Sequence, residues 1–388
     1  MNSRERLIET LNHREPDRVP LDLGGTENTT ISRIAYQNLR TYLGMGEDPA
    51  PFVINRMMDA VFPHRDLLER LSIDCLGTRP SETFRAPTRE MPEEESFTDE
   101  LGIRWKKASY YYDMVEHPLR NASLEDLAQV HWPDPARDGR FHGLREQARA
   151  LYENTSYALV AGHIMWGPFE LGCALRGYEQ FCLDLYCDEA LARAVLENNL
   201  ELAIRFWDAY LAEVGDYIQV AAGGDDLGMQ TGTIVSPEMY RSFVKPLHKR
   251  LYDFIRSRTR AKIFLHSCGS VYDLIPDFIE EGVEVLSPVQ FTAAKMDLAR
   301  LKREFGKDLT FWGGGVDTQH VLPAGSVAEI EDQVSRVFDT MAPGGGFVFV
   351  PVHNIQADIH PQRILAVYET ARRKRAYSGP GVTGRRRS

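Results

Sequence analysis

The chain has 388 residues, 43% of them hydrophobic and 26% charged, which suits one large globular domain or two smaller ones. A formal net charge of −11 argues against nucleic acid or an anionic membrane surface as partner, since both call for a basic face. No run approaches the roughly 20 apolar residues that span a bilayer, the opening residues carry no apolar leader core, and cytoplasmic placement is expected.

In chain order, eight short apolar runs read as strands: 18–23, 72–76, 157–162, 217–222, 262–266, 283–287, 309–312 and 347–350. Most are apolar on both faces, as strands packed between a barrel interior and a helical layer must be. Helical patterns alternate with them. Ser236-Pro237-Glu238 supplies a cap residue, a first-turn proline and an acid ahead of a stripe from Met239 to Ile255. Ile330, Val334 and Val337 mark the buried face of a helix over 327–341. The alternation predicts an α/β fold, a (β/α)8 TIM barrel, with an open doubly wound sheet as the alternative. No Gly-x-Gly-x-x-Gly follows the first strand to favour that alternative. Residues 80–118 break the rhythm and predict a β-hairpin insertion after strand two. One domain over 1–371 is expected, followed by a basic disordered tail over 372–388.

In a parallel barrel the loops after the strands build the functional face. Here these exits are polar or glycine-rich almost throughout: Gly24 to Asn28, Gly162 to Pro168, Gly223 to Gly228, His266 to Gly269, Pro288 to Gln290, Gly313 to Asp317, and Pro351 to Gln356. His266 and Cys268 stand two apart on extended backbone, so both can face one side and ligate one ion. Soft sulfur with imidazole favours zinc, with His353 as third ligand by topology and Gln290 or a substrate heteroatom as fourth. The competing reading makes His266 a hydrogen-bonding residue and Cys268 a small residue in a turn. Asp225 and Asp226 must point opposite ways, one into the pocket as base or anchor, the other capping or pairing. His163 and Trp166 suit a planar substrate, though a tryptophan near a strand end also serves as core. Five scattered cysteines (Cys75, Cys173, Cys182, Cys187, Cys268) give no disulfide framework. The glycine runs at 313–315 and 344–346 lack the Lys-Ser/Thr of a phosphate loop.

The segments Leu11-Asn12-His13-Arg14-Glu15-Pro16-Asp17-Arg18-Val19-Pro20, Ile263-Phe264-Leu265-His266-Ser267-Cys268-Gly269, Gly313-Gly314-Gly315-Val316-Asp317 and Phe349-Val350-Pro351-Val352-His353-Asn354-Ile355-Gln356 resemble the uroporphyrinogen decarboxylase superfamily. The resemblance covers nearly the whole chain to about Arg372. It implies one of two chemistries: cofactor-free decarboxylation of a porphyrinogen, or zinc-dependent methyl transfer involving a corrinoid or a thiol.

Carried over position by position, the zinc pair is His266 and Cys268. The later ligand, usually Cys in that group, falls at His353, and Gln290 stands where related zinc methyltransferases use Glu. True decarboxylases open with an arginine-rich run, whereas this chain reads Gly24-Gly25-Thr26-Glu27-Asn28-Thr29-Thr30 and offers no charge-assisted grip for a polycarboxylate. The resemblance therefore implies a zinc methyltransferase acting on a small methylated compound, a methoxyaromatic for example, with a corrinoid protein as partner. Asp226 and His163 are the expected catalytic residues; Trp166, Asp225, Gln290 and Asn354 the expected substrate contacts; His266, Cys268 and His353 the metal ligands. The alternatives are a decarboxylase and a non-catalytic barrel that binds a ligand or a methyl carrier. Pairing into a homodimer is compatible with such a barrel.

Overall fold

The computed structural model describes residues 1–78, 86 and 88–377. Seven strands form one wholly parallel sheet: β1 (Cys75–Gly77), β2 (Ala158–Ala161), β3 (Val220–Gly224), β4 (Lys262–His266), β5 (Val285–Ser287), β6 (Thr310–Trp312) and β7 (Phe347–Val348). Each strand pairs with the next in sequence, so the sheet curls without a crossover. The result is an α/β, TIM-barrel-like fold.

The expected first strand at 18–23 is not a strand. Pro20 has no N–H to give a ladder, and only isolated bonds form. Those few bonds reach both edges of the sheet. Asp22 N–H donates to Phe349 and Phe349 N–H to Pro20, both at 2.9 Å, while Asp74 N–H donates to Leu21 at 2.8 Å and Gly77 N–H to Gly24 at 3.1 Å.

Strand residues alternate between two cores with period two. Ala158, Val160, Val220, Ala222, Phe264, Val285, Trp312 and Val348 form an inner cluster with Leu7 and Leu11 of the N-terminal helix Ser3–Leu11. Their neighbours Leu159, Ala221, Ile263, Leu265, Leu286 and Phe311 face the helical layer. The inner cluster is apolar, and the buried Asp22 carboxylate reaches it at Trp312. That carboxylate accepts from Trp312 Nε1 at 2.9 Å and Gly25 N–H at 2.8 Å, and burial pushes its pKa up to about 6.

Two helices matter for the site: α1 (Pro168–Arg176) after β2 and α2 (Lys245–Arg258) after β3. Ser236 caps the approach to α2, its Oγ accepting from Met239 N–H at 3.2 Å. The expected uninterrupted helix is broken by a π-helical turn over Tyr240–Val244, next to Pro246, which cannot donate into an α ladder.

The insertion between β1 and β2 is larger than a hairpin. Arg89–Met91, Ser96–Thr98, Arg104–Ala108 and Tyr111–Glu116 form a four-stranded antiparallel sheet, turned at Glu95, Gly102 and Ser109, all at positive φ. Residues 79–85 and 87 of the expected insertion lie outside the described residues. A small sheet of Ile31–Ser32, Phe52–Asn55 and Ala60–Phe62, absent from the sequence reading, lies beside it. Tyr112 N–H donates to Met57 at 3.1 Å and ties this second hairpin to the insertion. The final helix, Pro361–Lys374, runs three residues into the segment expected as tail, and residues 378–388 lie outside the described residues. No described helix is long and apolar enough to cross a membrane.

Candidate active site

The inward parity of the strands continues past their apolar layers. Gly224 and His266 pair in register, two residues beyond Ala222 and Phe264, and carry the inner face to the open end of the sheet. There a chamber of about 240 Å³ opens, walled by the loops after the strands and roofed by Trp105, Tyr111 and Tyr112 of the inserted sheet. Glycine at 224 leaves room for two imidazoles: a Cβ there would stand 3.4 Å from both His163 Cε1 and His266 Cβ. The rings of His163 and His266 lie 5.5 Å apart, and those of His266 and His353 5.7 Å apart. A larger cavity of about 1140 Å³ shares the walls Glu27, Asn55, Met57, His163, Met165 and Trp166 and leads outward from the chamber.

His266, Cys268 and His353 bring their ligand atoms within 4.8 Å of one another. Cys268 Sγ is 3.3 Å from His266 Nε2. His353 Nδ1 meets Asn354 Oδ1 at 2.5 Å, which fixes that ring and leaves Nε2 free to ligate. The loop holding Cys268 is tight: Gly269 has φ +83°, and a Cβ there would sit 2.6 Å from the carbonyl carbon of Gly228. Two ring nitrogens, His266 Nδ1 and His163 Nε2, are buried without a hydrogen-bond partner. Burial, with the neighbouring imidazoles, holds His266 well below its ordinary pKa, and burial lowers His353 too, so both are neutral and can donate a lone pair. Burial first, then Asp226 and Glu170, pushes the Cys268 thiol well above its usual range. A divalent cation reverses that balance, because a coordinated thiol gives up its proton. Neutral imidazoles, a thiol and unpartnered buried nitrogens together are a donor set that zinc fits.

The adjacent carboxylates take opposite directions, as extended backbone demands. Asp226 lines the chamber; its Oδ1 accepts from Cys268 N–H at 2.8 Å and stands 3.9 Å from His266 Nε2. Asp225 does not reach the chamber, and the expectation of a substrate contact gives way to a structural role. It is 1% exposed and caps α1, accepting from Phe169 N–H at 3.1 Å and Glu170 N–H at 2.5 Å, and it takes His248 Nε2 at 2.7 Å. Gly167 makes this cap possible, since a Cβ there would lie 2.3 Å from Asp225 Cβ.

Two further expected contacts also turn away. Gln290 uses its amide on Gly269 N–H at 2.8 Å and Gln230 Oε1 at 2.9 Å, and so braces the Cys268 loop. Asn354 is 3% exposed and serves His353. The structure brings His163, Trp166, Asp226, His266 and His353 to one chamber, with Cys268 against His266.

Residues the sequence reading passed over complete the walls. Glu27 stands 3.7 Å from His163 Nδ1 and accepts from Asn55 Nδ2 at 3.2 Å, while Asn28 Nδ2 lies 3.3 Å from His163 Nδ1. Glu170, on the first turn of α1, accepts from Asp226 N–H at 3.3 Å. Burial, then the charges of Asp226 and Asp225, raises its pKa well above the ordinary range. Glu27 and Asn28 were legible as part of a strand exit. Glu170 and the roof residues had no local signal.

Against known proteins, the family model described as uroporphyrinogen decarboxylase (URO-D) matches residues 100–374, more than half of the chain. A curated protein of Methanosarcina mazei named "Methylated-thiol--coenzyme M methyltransferase" is 21% identical over 249 residues, 62% of this chain. The match spans 63% of that relative's length. A solved structure titled "methyltransferase from Methanosarcina mazei" superposes with a TM-score of 0.67 at 19% identity, covering 96% of this chain and 99% of the other, which establishes a shared fold.

Proposed function

The chain belongs to the uroporphyrinogen decarboxylase family, and from that premise we propose that it is a methyltransferase moving a methyl group from a small methylated compound to a corrinoid on a separate protein. The observation that carries this reading is the convergence of His266, Cys268 and His353 in the chamber wall. The name of the curated relative supports methyl transfer as the reaction class. Zinc held by these three side chains would act as a Lewis acid toward the heteroatom that bears the methyl group.

The chain's own residues set up that chemistry. Asp226 grips Cys268 N–H and fixes the direction of the thiol. Asn354 orients His353. Asn28 Nδ2 donates to His163 Nδ1, with Glu27 alongside, and leaves Nε2 facing the chamber, where its N–H can pass a proton to a leaving heteroatom that requires one. Trp166 closes one side against water. Carboxylates at Glu27 and Asp226 would repel a polycarboxylate, and no lysine or arginine among the described residues lines the chamber, so the charge pattern gives decarboxylation of a porphyrinogen no support.

Metal content by plasma mass spectrometry, with Cys268→Ala as control, tests the reading. The expected result is about one zinc per chain, lost in the variant, as a three-ligand catalytic site requires. Metal-free protein in both preparations sinks it.

A further inference from the structure

We propose that the methyl donor taken by this chamber is a small methylated onium cation, an ammonium or a sulfonium, held between aromatic faces and carboxylates. This names a substrate class for the methyl-transfer reading and rests on it. An onium centre carrying only carbon substituents has no N–H or S–H to donate. Its charge is spread over its methyl groups, so it is recognised by ring faces and diffuse negative charge.

The chamber offers both. Trp105 and Trp166 meet edge to face at 6.0 Å, from the inserted sheet and from the loop after β2, and Tyr112 adds a third ring. Glu27 and Asp226 line the same space from two separate elements. Of the described residues in its wall, none is lysine or arginine. His163, its side chain 6% exposed, presents an unpartnered Nε2. Methionines at 57, 58 and 165 fill the wall with polarizable sulfur. A neutral methoxyarene would desolvate these carboxylates and return nothing to them; a cation offsets that cost.

The reaction balances without a proton. For such a donor the Lewis-acid role of zinc and the acid role of His163 fall away: the onium centre is activated by its own charge, and a quaternary nitrogen has no lone pair to give a metal. The heteroatom–methyl bond breaks and its electron pair stays on nitrogen or sulfur. The reduced, cobalt(I) corrinoid supplies the pair of the new cobalt–carbon bond. A neutral amine or sulfide remains, which has lost its attraction to both rings and carboxylates and departs.

Calorimetric titration of the full chain with choline and with its uncharged isostere 3,3-dimethyl-1-butanol tests the inference, with 3-methoxybenzoate as the anionic methoxyarene. Choline should bind about tenfold or more tighter than the isostere. Trp166→Leu and Glu27→Gln should each erode that preference. Equal binding of the two isosteres, or tighter binding of 3-methoxybenzoate, overturns the proposal, and this wild-type result needs no variant to fold. Tetramethylammonium against trimethylsulfonium separates the two sources of charge. Mixing with free cob(I)alamin and following methylcobalamin keeps the two readings apart. A cation that binds without giving up its methyl upholds the cation site and overturns methyl transfer. Transfer from an uncharged methoxyarene alone does the reverse.

Discussion

Two buried histidine clusters lie on either side of the Asp225–Asp226 peptide, and they are opposites. His248, beneath α1, has every polar atom engaged: Nε2 with Asp225 at 2.7 Å, and Nδ1 with Tyr240 Oη at 3.0 Å and Glu281 at 3.4 Å. His266, in the chamber, leaves Nδ1 bare, and the neighbouring His163 leaves Nε2 bare. Both imidazoles are buried, yet partners raise the first to about 9 while burial among other imidazoles drives the second well below its ordinary value. An imidazole with both nitrogens partnered has most of its desolvation met within the fold and serves to hold it, although Glu281 Oε2 beside it lacks a hydrogen bond. An imidazole with a bare ring nitrogen still carries an unmet desolvation cost.

The sharpest way to break the contrast is to remove one member of each. Asp225→Asn strands a buried imidazolium and leaves one acceptor oxygen where two served Phe169 N–H, Glu170 N–H and His248, and should cost about 3–5 kcal/mol in urea denaturation. His266→Ala in metal-free protein should cost far less, because it removes a group with an unmet polar atom. Equal losses would dissolve the distinction.

The pH dependence of stability separates the clusters again. The pKa of His248 rises from 6.5 unfolded to about 9 folded. Its contribution is therefore complete below pH 6.5 and is lost as pH climbs through 9, a decline on the order of 3 kcal/mol. Denaturation midpoints measured from pH 6 to pH 9.5 should fall in the wild type and flatten in His248→Gln. A flat wild-type profile would show that His248 is neutral in the fold.

The smallest effect belongs to the residue that braces the open cluster from behind. Gln290→Ala should cost about 1 kcal/mol, the worth of the bond to Gly269 N–H. Metal stoichiometry should stay unchanged; loss of the metal would make Gln290 a ligand after all.

How far the sequence reveals these clusters follows from the range of the contacts. His266 and Cys268 were readable because two-residue spacing on a strand exit is a local geometric fact. The divergence of Asp225 and Asp226 was readable for the same reason, but which of them faces the chamber was not. That choice is made by α1 and His248, elements 55 residues before and 23 residues after Asp225. Gln290 and Asn354 looked like contacts because they follow strands, yet their amides are claimed by Gly269, Gln230 and His353 across loops. Trp105 and Tyr112 sit in an insertion whose alternation showed sheet but not where the sheet would fold over. The seven strands were legible because each is apolar on both faces. The eighth failed at Pro20, where the pattern persists and the ladder cannot.

That failed strand governs how the molecule is made. Residues 19–24 bond to Phe349 and Arg375, more than 320 positions later in the chain. Contacts at that separation cost the most loop-closure entropy, so the seam between the two edges of the sheet is expected to form late in folding, the consequence of joining distant parts of the chain at one line of hydrogen bonds.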